Sequence, residues 1–551
     1  MITASSISLL PANTVYAFGT SGYRSNTDAG FNTAVVSQIT HAIADTLIVD
    51  MHKTGKAGPV LVGGDTRPKT KESIPLIVDI LLQRGLDVYQ IDGDVPTPVL
   101  AYAANALEVL TGNNQGAAGA ILMTASHNPW DYGGYNFLTP DGAVAPSELS
   151  KTFEYYQQHP LGVLLNRETL GLPATPECKS LLPYEAYYRH LLHGLQLDAN
   201  ALKQANLNIG YDPLYATGRY YFPKLLEDLG VQQVTVFHGD DVRPDGYHGE
   251  PEPSPENLTE LASWLQGTYA QQPQALTVGF ANDGDSDRFG VLDEQGTYLV
   301  PNTVLKLVLY SLMEHRLPAD TQGVVVRSQA TTHALDSLAA QRGWPVIQTP
   351  VGYKYIAESF IEQAQQHPEQ PVLLGGESSG GLSIVNHVPE KDGLLANLLI
   401  AELIAKEGKP LSQIVTHVDA QLSTAYSFRE YALRTEAKQA FVDYALSLFH
   451  SDAGSETLVA GFTLDVATTN QEANKLKQHF GTQDGVKLYF TNGAWALVRT
   501  SGTEPLARLC VETQGSTLAE AEAQAETLSQ HFLAWLQEHH GLTPADIKRK
   551  A

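Results

Sequence analysis

Residues 60–92, VLVGGDTRPKTKESIPLIVDILLQRGLDVYQID, read as strand, helix and strand. Val60–Asp65 is a short, almost wholly apolar run, as in a strand covered on both faces. Lys69–Arg84 places its apolar residues at helical spacing, and Asp87–Asp92 returns to a strand-like run. The same alternation recurs twice. Asn206–Asp212, Gly218–Leu229 and Gln233–His238 form one repeat. Gly323–Arg327, Thr332–Arg342, Pro345–Thr349, Tyr353–Ala364 and Pro371–Gly376 form another. Strands alternating with helices predict α/β layers. The last stretch differs: Phe441–His450 reads as a helix, and Val459–Val466, Val486–Thr491, Ala494–Thr500 and Ala507–Glu512 read as strands. Asn492-Gly493 gives a hairpin signal, and Leu518–His539 closes as a long helix. That order predicts a small α+β domain. The proline-rich stretch Asp241–Glu256 reads as a loop within a domain.

The chain of 551 residues is long enough for about three to four domains. With 43% hydrophobic residues it is neither a disordered tail nor a fibrous repeat. Lys and Arg number 35 against 60 Asp and Glu, a formal net charge of −25. A nucleic-acid binder neutralises phosphates with Lys and Arg, so that class is excluded. Two cysteines, Cys178 and Cys510, make no disulfide framework or zinc pattern and are expected to be small buried hydrophobes. Met1–Thr14 lacks the charged start of a signal peptide, and no apolar run reaches 18 residues. The expectation is a soluble cytoplasmic protein with no membrane partner.

Four loops carry chemistry. Thr124-Ala125-Ser126-His127-Asn128-Pro129 follows the apolar strand Ala117–Met123, so Ser126 projects from a strand end beside a histidine. The G-x-S-x-G elbow of serine hydrolases is absent here. Asp283-Gly284-Asp285-Ser286-Asp287-Arg288 follows the strand Ala275–Ala281. Three carboxylates at alternate positions can converge on one hard divalent cation. Glu294 stands at the twelfth place of a calcium-loop register, but the sixth place, which needs glycine, is Arg288. Open coordination positions suit Mg²⁺ beside a phosphate. Gly375-Gly376-Glu377-Ser378-Ser379-Gly380-Gly381 offers polar groups among glycines, suited to sugar hydroxyls. Arg499-Thr500-Ser501-Gly502-Thr503-Glu504-Pro505 offers an Arg, hydroxyls and a backbone nest for an anion. Taken singly, the first, third and fourth loops also read as ordinary polar turns. Two further loops are cationic: Phe18–Arg24 ends on Arg24, and Thr349–Lys354 ends on Lys354. There is no Walker loop and no Rossmann fingerprint.

In this order the loops closely resemble those of the α-D-phosphohexomutases, the phosphoglucomutase/phosphomannomutase superfamily. The resemblance covers about residues 18–512, with FGTSGYR, Thr349–Lys354 and Lys391-Asp392-Gly393 fitting as well. It implies four domains around a central cleft: three α/β mixed-sheet domains over 1–190, 191–302 and 303–422, and a smaller α+β domain over 423–551. It implies an isomerase that interconverts hexose 1- and 6-phosphates with Mg²⁺, through a phosphoserine and a hexose 1,6-bisphosphate. Ser126 would be the phosphoserine and, with Asp283, Asp285 and Asp287, a metal ligand. Arg24 and Arg288 would lie near the reacting phosphoryl group, and Lys354 would contact the ligand. Gly376, Glu377 and Ser379 would bind the sugar, and Arg499, Ser501, Gly502 and Thr503 the non-reacting phosphate. Many members carry a Lys ten residues after the phosphoserine, where this chain has Asn136, which cannot exchange a proton. His127, Arg24 and Lys354 are the candidate bases, and His127 has the most suitable ordinary pKa.

The run Gly375–Asn386 and its continuation His387–Gly393 look more like glucose-type members. The expected activity is that of a phosphoglucomutase, with glucose 1,6-bisphosphate as intermediate and activator and a monomer or weak homodimer as its state. The alternatives are phosphomannomutase or dual specificity, with an aminosugar enzyme behind them. A non-catalytic sugar-phosphate-binding protein on the same fold and a Ca²⁺-binding structural protein read from Asp283–Glu294 are the readings from other classes.

Overall fold

A computed structural model describes residues 14–19, 22–28, 30–112, 115–240, 250–449, 458–500 and 506–550. The chain forms two compact units. The first comprises Met1–Val304, Ala357–His367 and Ser379–Ile414; the second comprises Leu305–Ile356, Pro368–Ser378 and Val415–Ala551.

The first unit is built on two mixed sheets. In one, Val60–Gly64 is central and runs parallel to Gly119–Met123 and Val88–Ile91. Cys178–Leu181 extends the parallel set. Tyr132–Leu138 turns back antiparallel beside Gly119–Met123, and Tyr23–Asn26 pairs antiparallel with it. All five residues of Val60–Gly64 and of Gly119–Met123 are buried, so the continuous apolar runs are those of strands covered on both faces. The helix between Val60–Gly64 and Val88–Ile91 spans Pro68–Gln83, with Pro68 in its first turn and Ile77, Val78, Ile80 and Leu81 inward.

In the second sheet Thr277–Asn282 and Gln233–Val236 run parallel to Asn208–Asp212, and Phe289–Leu292 folds back antiparallel on Thr277–Asn282. The helix Gly393–Glu407 packs on those last two strands. Every residue from Gly393 to Ile404 is buried, which explains why apolar residues lie on all its sides, while the buried Asn397 and Glu402 are hydrogen-bonded to Ala281 and Asp198.

The second unit carries Val346–Thr349, Val324–Ser328 and Val372–Glu377 as parallel strands. Its C-terminal part is an antiparallel sheet in the order Val486–Tyr489, Trp495–Thr500, Leu506–Gly515, Ala425–Arg434 and Ile547–Arg549. The helices Lys438–Phe449 and Leu518–His540 pack on it. The expected α/β domains and smaller α+β domain are therefore present.

Three expectations are corrected. Val459–Val466 is not one strand: Leu458–Val459 and Phe462–Thr463 form a small hairpin around Ala460 and Gly461, both at positive φ. Asp465 then caps a helix, Val466–Phe480, that the apolar pattern did not announce. Cys178 is exposed on its strand, while Cys510 is buried as expected. Of the Asp241–Glu256 stretch, 241–249 lies outside the described residues. No helix among the described residues is long and apolar enough to cross a membrane.

Candidate active site

The strand Gly119–Met123 delivers Thr124–Asn128 at its C-terminal end, and Ser126 sits there fully buried in a left-handed conformation, φ 50°. A non-glycine residue in that region stores strain, so something must hold it. The Ser126 N–H donates to Thr124 Oγ1 (2.8 Å), and its carbonyl accepts from Arg67 Nη2 (2.7 Å). Glycines let two backbones close on this loop. A Cβ on Gly134 would lie 1.9 Å from the Thr124 carbonyl oxygen, and one on Gly284 2.3 Å from that of Ser126.

Arg67 is the hub that sequence reasoning missed. It is 1% exposed. Its guanidinium donates to the carbonyls of Ser126, Asn128 (2.6 Å), Pro129 (2.5 Å) and Tyr132 (3.1 Å) while Nε is fixed by Asp65 (3.0 Å). Its Cζ lies over the Trp130 ring, 5.1 Å from the ring centre. One planar fork of donors thus fixes the whole serine loop. The available signal was position: Asp65-Thr66-Arg67 follows a buried strand, as the other polar loops do.

Ser126 Oγ donates to Asp283 Oδ2 (2.8 Å) and lies 3.2 Å from His127 Nδ1. Asp283 begins the acidic loop after Thr277–Asn282, and Ser286, at φ 58°, turns that loop so that all three aspartates face one point. Asp283, Asp285 and Asp287 are buried, with one oxygen from each within 4.8 Å of the others. Asp283 Oδ1 accepts the Arg288 N–H (3.0 Å), and Asp285 Oδ2 accepts from Thr97 Oγ1 (2.7 Å). Asp287 Oδ2 is paired with the Lys391 ammonium. Asp285 Oδ1 and Asp287 Oδ1 are buried without a hydrogen-bond partner among the described residues. Burial, then the neighbouring Asp287 and Asp285, pushes the Asp283 carboxyl well above its ordinary range; burial and Asp287 push Asp285 up. Three crowded, desolvated carboxylates with two unsatisfied oxygens form an all-oxygen set that fits a hard divalent cation such as Mg²⁺.

Arg24, on the strand Tyr23–Asn26, donates to Asn128 Oδ1 (3.2 Å). Burial lowers its pKa, and the acidic loop opposes that, Asp285 most strongly. Arg288 Nε stands 3.9 Å from Asp287 Oδ1. Asn136 is buried on the strand Tyr132–Leu138, its Oδ1 without a hydrogen-bond partner among the described residues. Gly22 leaves the room for it, since a Cβ there would fall 1.7 Å from that oxygen. The structure therefore brings together Ser126, His127, Arg24, Asp283, Asp285, Asp287 and Arg288, adding Arg67, Thr97 and Lys391.

In the second unit, Gly376 and Glu377 end the strand Val372–Glu377, with Glu377 buried. Ser379, two residues on, belongs to the first unit. Lys354 stands in the first turn of Tyr353–Gln366, its ammonium 5.0 Å from the Tyr355 ring centre. Arg499, near the end of Trp495–Thr500, bonds Asp484 (3.3 Å). Burial raises the Asp484 carboxyl, and Arg499 and then Lys354 oppose that, so both expected cations share one electrostatic cluster. Ser501, Gly502 and Thr503 lie outside the described residues, as do Thr20 and Ser21 of the N-terminal loop.

Four domain models of the phosphoglucomutase/phosphomannomutase family match the chain. The α/β/α domain I covers 16–158, domain II 185–296, domain III 301–420 and the C-terminal domain 464–529. A phosphoglucomutase/phosphomannomutase of Thermococcus kodakarensis is 26% identical over 481 residues, covering 85% of this chain and 89% of the relative. A probable phosphoglucosamine mutase of Methanothermobacter thermautotrophicus is 27% identical over 501 residues, covering 90% and 93%. A crystal structure from Thermus thermophilus, provisionally assigned as a phosphomannomutase, superposes with a TM-score of 0.70 at 27% identity over 93% of this chain and 98% of that one. With all four domains matched in order and the serine and aspartate loops in contact, the chain belongs to the phosphoglucomutase/phosphomannomutase family of α-D-phosphohexomutases and is a mutase isomerase.

Proposed function

We propose that the protein is a phosphoglucomutase, interconverting glucose 1-phosphate and glucose 6-phosphate through phospho-Ser126 and glucose 1,6-bisphosphate. The observation that carries this reading is the 2.8 Å contact between Ser126 Oγ and Asp283 within the buried acidic cluster. A phosphoryl group on that oxygen would lie against a site whose donors suit a dication. Asp283, Asp285, Asp287 and a phosphoserine oxygen would hold Mg²⁺. Bound there, Mg²⁺ supplies charge neutralisation for the transferred phosphoryl group.

The chain's own residues do the rest. The Oγ–P bond of phospho-Ser126 breaks as the free sugar hydroxyl forms a new O–P bond, and the hydroxyl proton leaves to a base. His127 is the candidate favoured for that proton, because its Nδ1 faces Ser126 Oγ at 3.2 Å and its ordinary pKa lies near neutrality. Arg24 and Lys354 remain candidates for it. Arg288, and Arg24 in its protonated form, add positive charge beside the acidic loop. Glu377, Gly376 and Ser379 bind sugar hydroxyls; Arg499, Ser501, Gly502 and Thr503 hold the phosphate that does not react. The bisphosphate then turns and returns its other phosphoryl group to Ser126 Oγ. The domain limits proposed with this reading are 1–190, 191–302, 303–422 and 423–551.

Glucose is preferred on the sequence of Gly375–Asn386 and His387–Gly393. The second reading, phosphomannomutase or dual specificity, is favoured by the names of the Thermococcus and Thermus relatives. Side-by-side kcat/KM values for glucose, mannose and glucosamine 1-phosphates, with Mg²⁺ and catalytic 1,6-bisphosphate, decide between them. Glucose 1-phosphate is expected to lead by at least about tenfold, roughly what one correctly paired hydroxyl contributes. A higher value for either of the other two sugars overturns the glucose assignment.

Arg67→Lys tests the hub. A lysine keeps the charge but cannot span four carbonyls. A displacement of the loop on the scale of 1 Å costs about 100-fold in rate. The expected result is a kcat lower by about that factor with KM little changed. An unaltered kcat would show that the loop holds its shape without the guanidinium.

A further inference from the structure

Behind the acidic loop lies a buried polar chain with no part in the chemistry above. Asp392 caps the helix Gly393–Glu407, its Oδ1 accepting the Leu395 N–H (2.8 Å). Its Oδ2 accepts from the Tyr187 hydroxyl (2.5 Å) and from His387 Nε2 (2.9 Å). His387 Nδ1 meets His190 Nε2 at 3.0 Å, and the two rings stack. Tyr102 also stacks on the His190 ring. The His387 and Asp392 side chains have no solvent exposure.

Hydrogen-bond logic fixes the proton nearest the carboxylate. A carboxylate only accepts, so His387 Nε2 carries a hydrogen. Burial, followed by the neighbouring His387, pushes His190 down to about 4, which keeps it neutral near pH 7. His387 Nε2–H donates to Asp392, and a single hydrogen is shared between His387 Nδ1 and His190 Nε2. Three donors therefore converge on one carboxylate and leave it a single orientation.

Asp392 sits between two residues that grip the acidic loop. Lys391, before it, pairs with Asp287 Oδ2. Gly393, after it, donates its N–H to the Ser286 carbonyl (3.1 Å). The approach is so close that a Cβ on Gly393 would fall 2.3 Å from the Arg288 carbonyl oxygen. Pinning Asp392 from behind thus sets the reach of Lys391, and Lys391 decides which oxygen of Asp287 is left for a cation.

We infer that His190, His387 and Tyr187 are positioning residues that act through Asp392 and Lys391 to hold Asp287 in the geometry Mg²⁺ requires. The inference rests on the proposed role of the three aspartates as Mg²⁺ ligands. Mg²⁺ needs nearly ideal octahedral geometry, whereas Ca²⁺ tolerates a loose site. Loosening the chain should therefore cost Mg²⁺ affinity far more than Ca²⁺ affinity.

The test is calorimetric titration of the full-length, chelator-treated protein with Mg²⁺ and, separately, with Ca²⁺. In His387→Gln the Mg²⁺ Kd is expected to rise about tenfold, the scale of an outer-shell loss, while the Ca²⁺ Kd moves less than about threefold. In a Lys391→Met background the same substitution should change neither value further, because the relay then has no ammonium to hold against Asp287. A general loosening of the fold would weaken both ions and would persist in that background. His190→Gln, milder because it leaves His387 and Asp392 in place, carries the same expectation if His387→Gln does not fold. An unchanged Mg²⁺-to-Ca²⁺ ratio, or an effect undiminished without Lys391, overturns the inference. Wild-type protein that binds no Mg²⁺ overturns instead the assignment of the aspartates.

Discussion

Ser126→Ala abolishes mutase turnover, by about 10⁴-fold or more, and leaves hexose phosphate binding measurable. The size follows from the chemistry. Phosphate monoesters are among the slowest compounds to hydrolyse, so without a covalent carrier little transfer remains. Among the described residues, neither neighbouring threonine is placed to substitute. Thr124 Oγ1 already accepts the Ser126 N–H, and Thr97 Oγ1 is committed to Asp285. The loop should survive the change. Ser126 is held by its backbone, through Thr124 Oγ1 and Arg67 Nη2, and both contacts persist with alanine. The measurements are a coupled assay of glucose 6-phosphate formation from glucose 1-phosphate and a calorimetric titration with glucose 6-phosphate. Turnover near the wild-type rate would remove Ser126 as the phosphoryl carrier; lost binding together with lost turnover would mean the loop had collapsed.

The α/β layers were legible because their strands are buried on both faces. A strand such as Val60–Gly64 must be apolar at every position, and its shortness between turn residues separates it from a buried helix such as Gly393–Glu407. The strand Ala425–Arg434 was missed for the opposite reason. It lies between Leu506–Gly515 and Ile547–Arg549, yet it buries Ser427 and Arg429, and Arg429 is paired with Glu526. Such a pair satisfies a buried charge through a residue 97 positions away, which no local pattern encodes. The helix Val466–Phe480 escaped because it buries only Thr469 and Leu476 among its residues. Its cap, Asp465, and its left-handed closing glycine, Gly481, were the better signals.

The candidate site divides along the same line. Ser126 and the three aspartates were legible as loops at strand ends, where short motifs state their own chemistry. Arg67, Thr97 and the His387–Asp392 chain were not. Their function lies in partners 59 to 205 residues distant. A planar guanidinium facing four carbonyls is a fact of tertiary structure. In sequence it is one arginine at the start of a helix.

Asp283→Asn separates what the acidic loop does for catalysis from what it costs the fold. Activity is expected to fall by about 10³-fold, since the substitution removes a cation ligand and the carboxylate that receives the Ser126 hydroxyl. Stability of the metal-free protein should move the other way. The shape is retained, and the asparagine Oδ1 can still accept the Arg288 N–H. The substitution removes a carboxyl whose ionisation is opposed by burial and by Asp287 and Asp285, and the midpoint of thermal unfolding at pH 7 rises by about 1–2 °C, the shift expected for roughly half a kcal/mol in a large domain. The pH dependence gives the sign independently. Burial and the two neighbouring aspartates hold the Asp283 carboxyl above its unfolded range, so the folded metal-free state binds this proton more tightly than the unfolded state does. Its contribution to stability is complete below the ordinary carboxylate pKa and is lost as pH rises from about 4 toward the raised value. Mg²⁺ reverses that loss by binding the ionised form, so the stabilisation it gives must grow over the same interval. Thermal unfolding with and without Mg²⁺ from pH 4 to 8 measures both terms. Wild type should show a Mg²⁺-induced gain that increases with pH, and Asp283→Asn a smaller gain with a flatter metal-free profile. A gain independent of pH in the wild type would mean that the aspartates do not carry the charge the cation is there to neutralise.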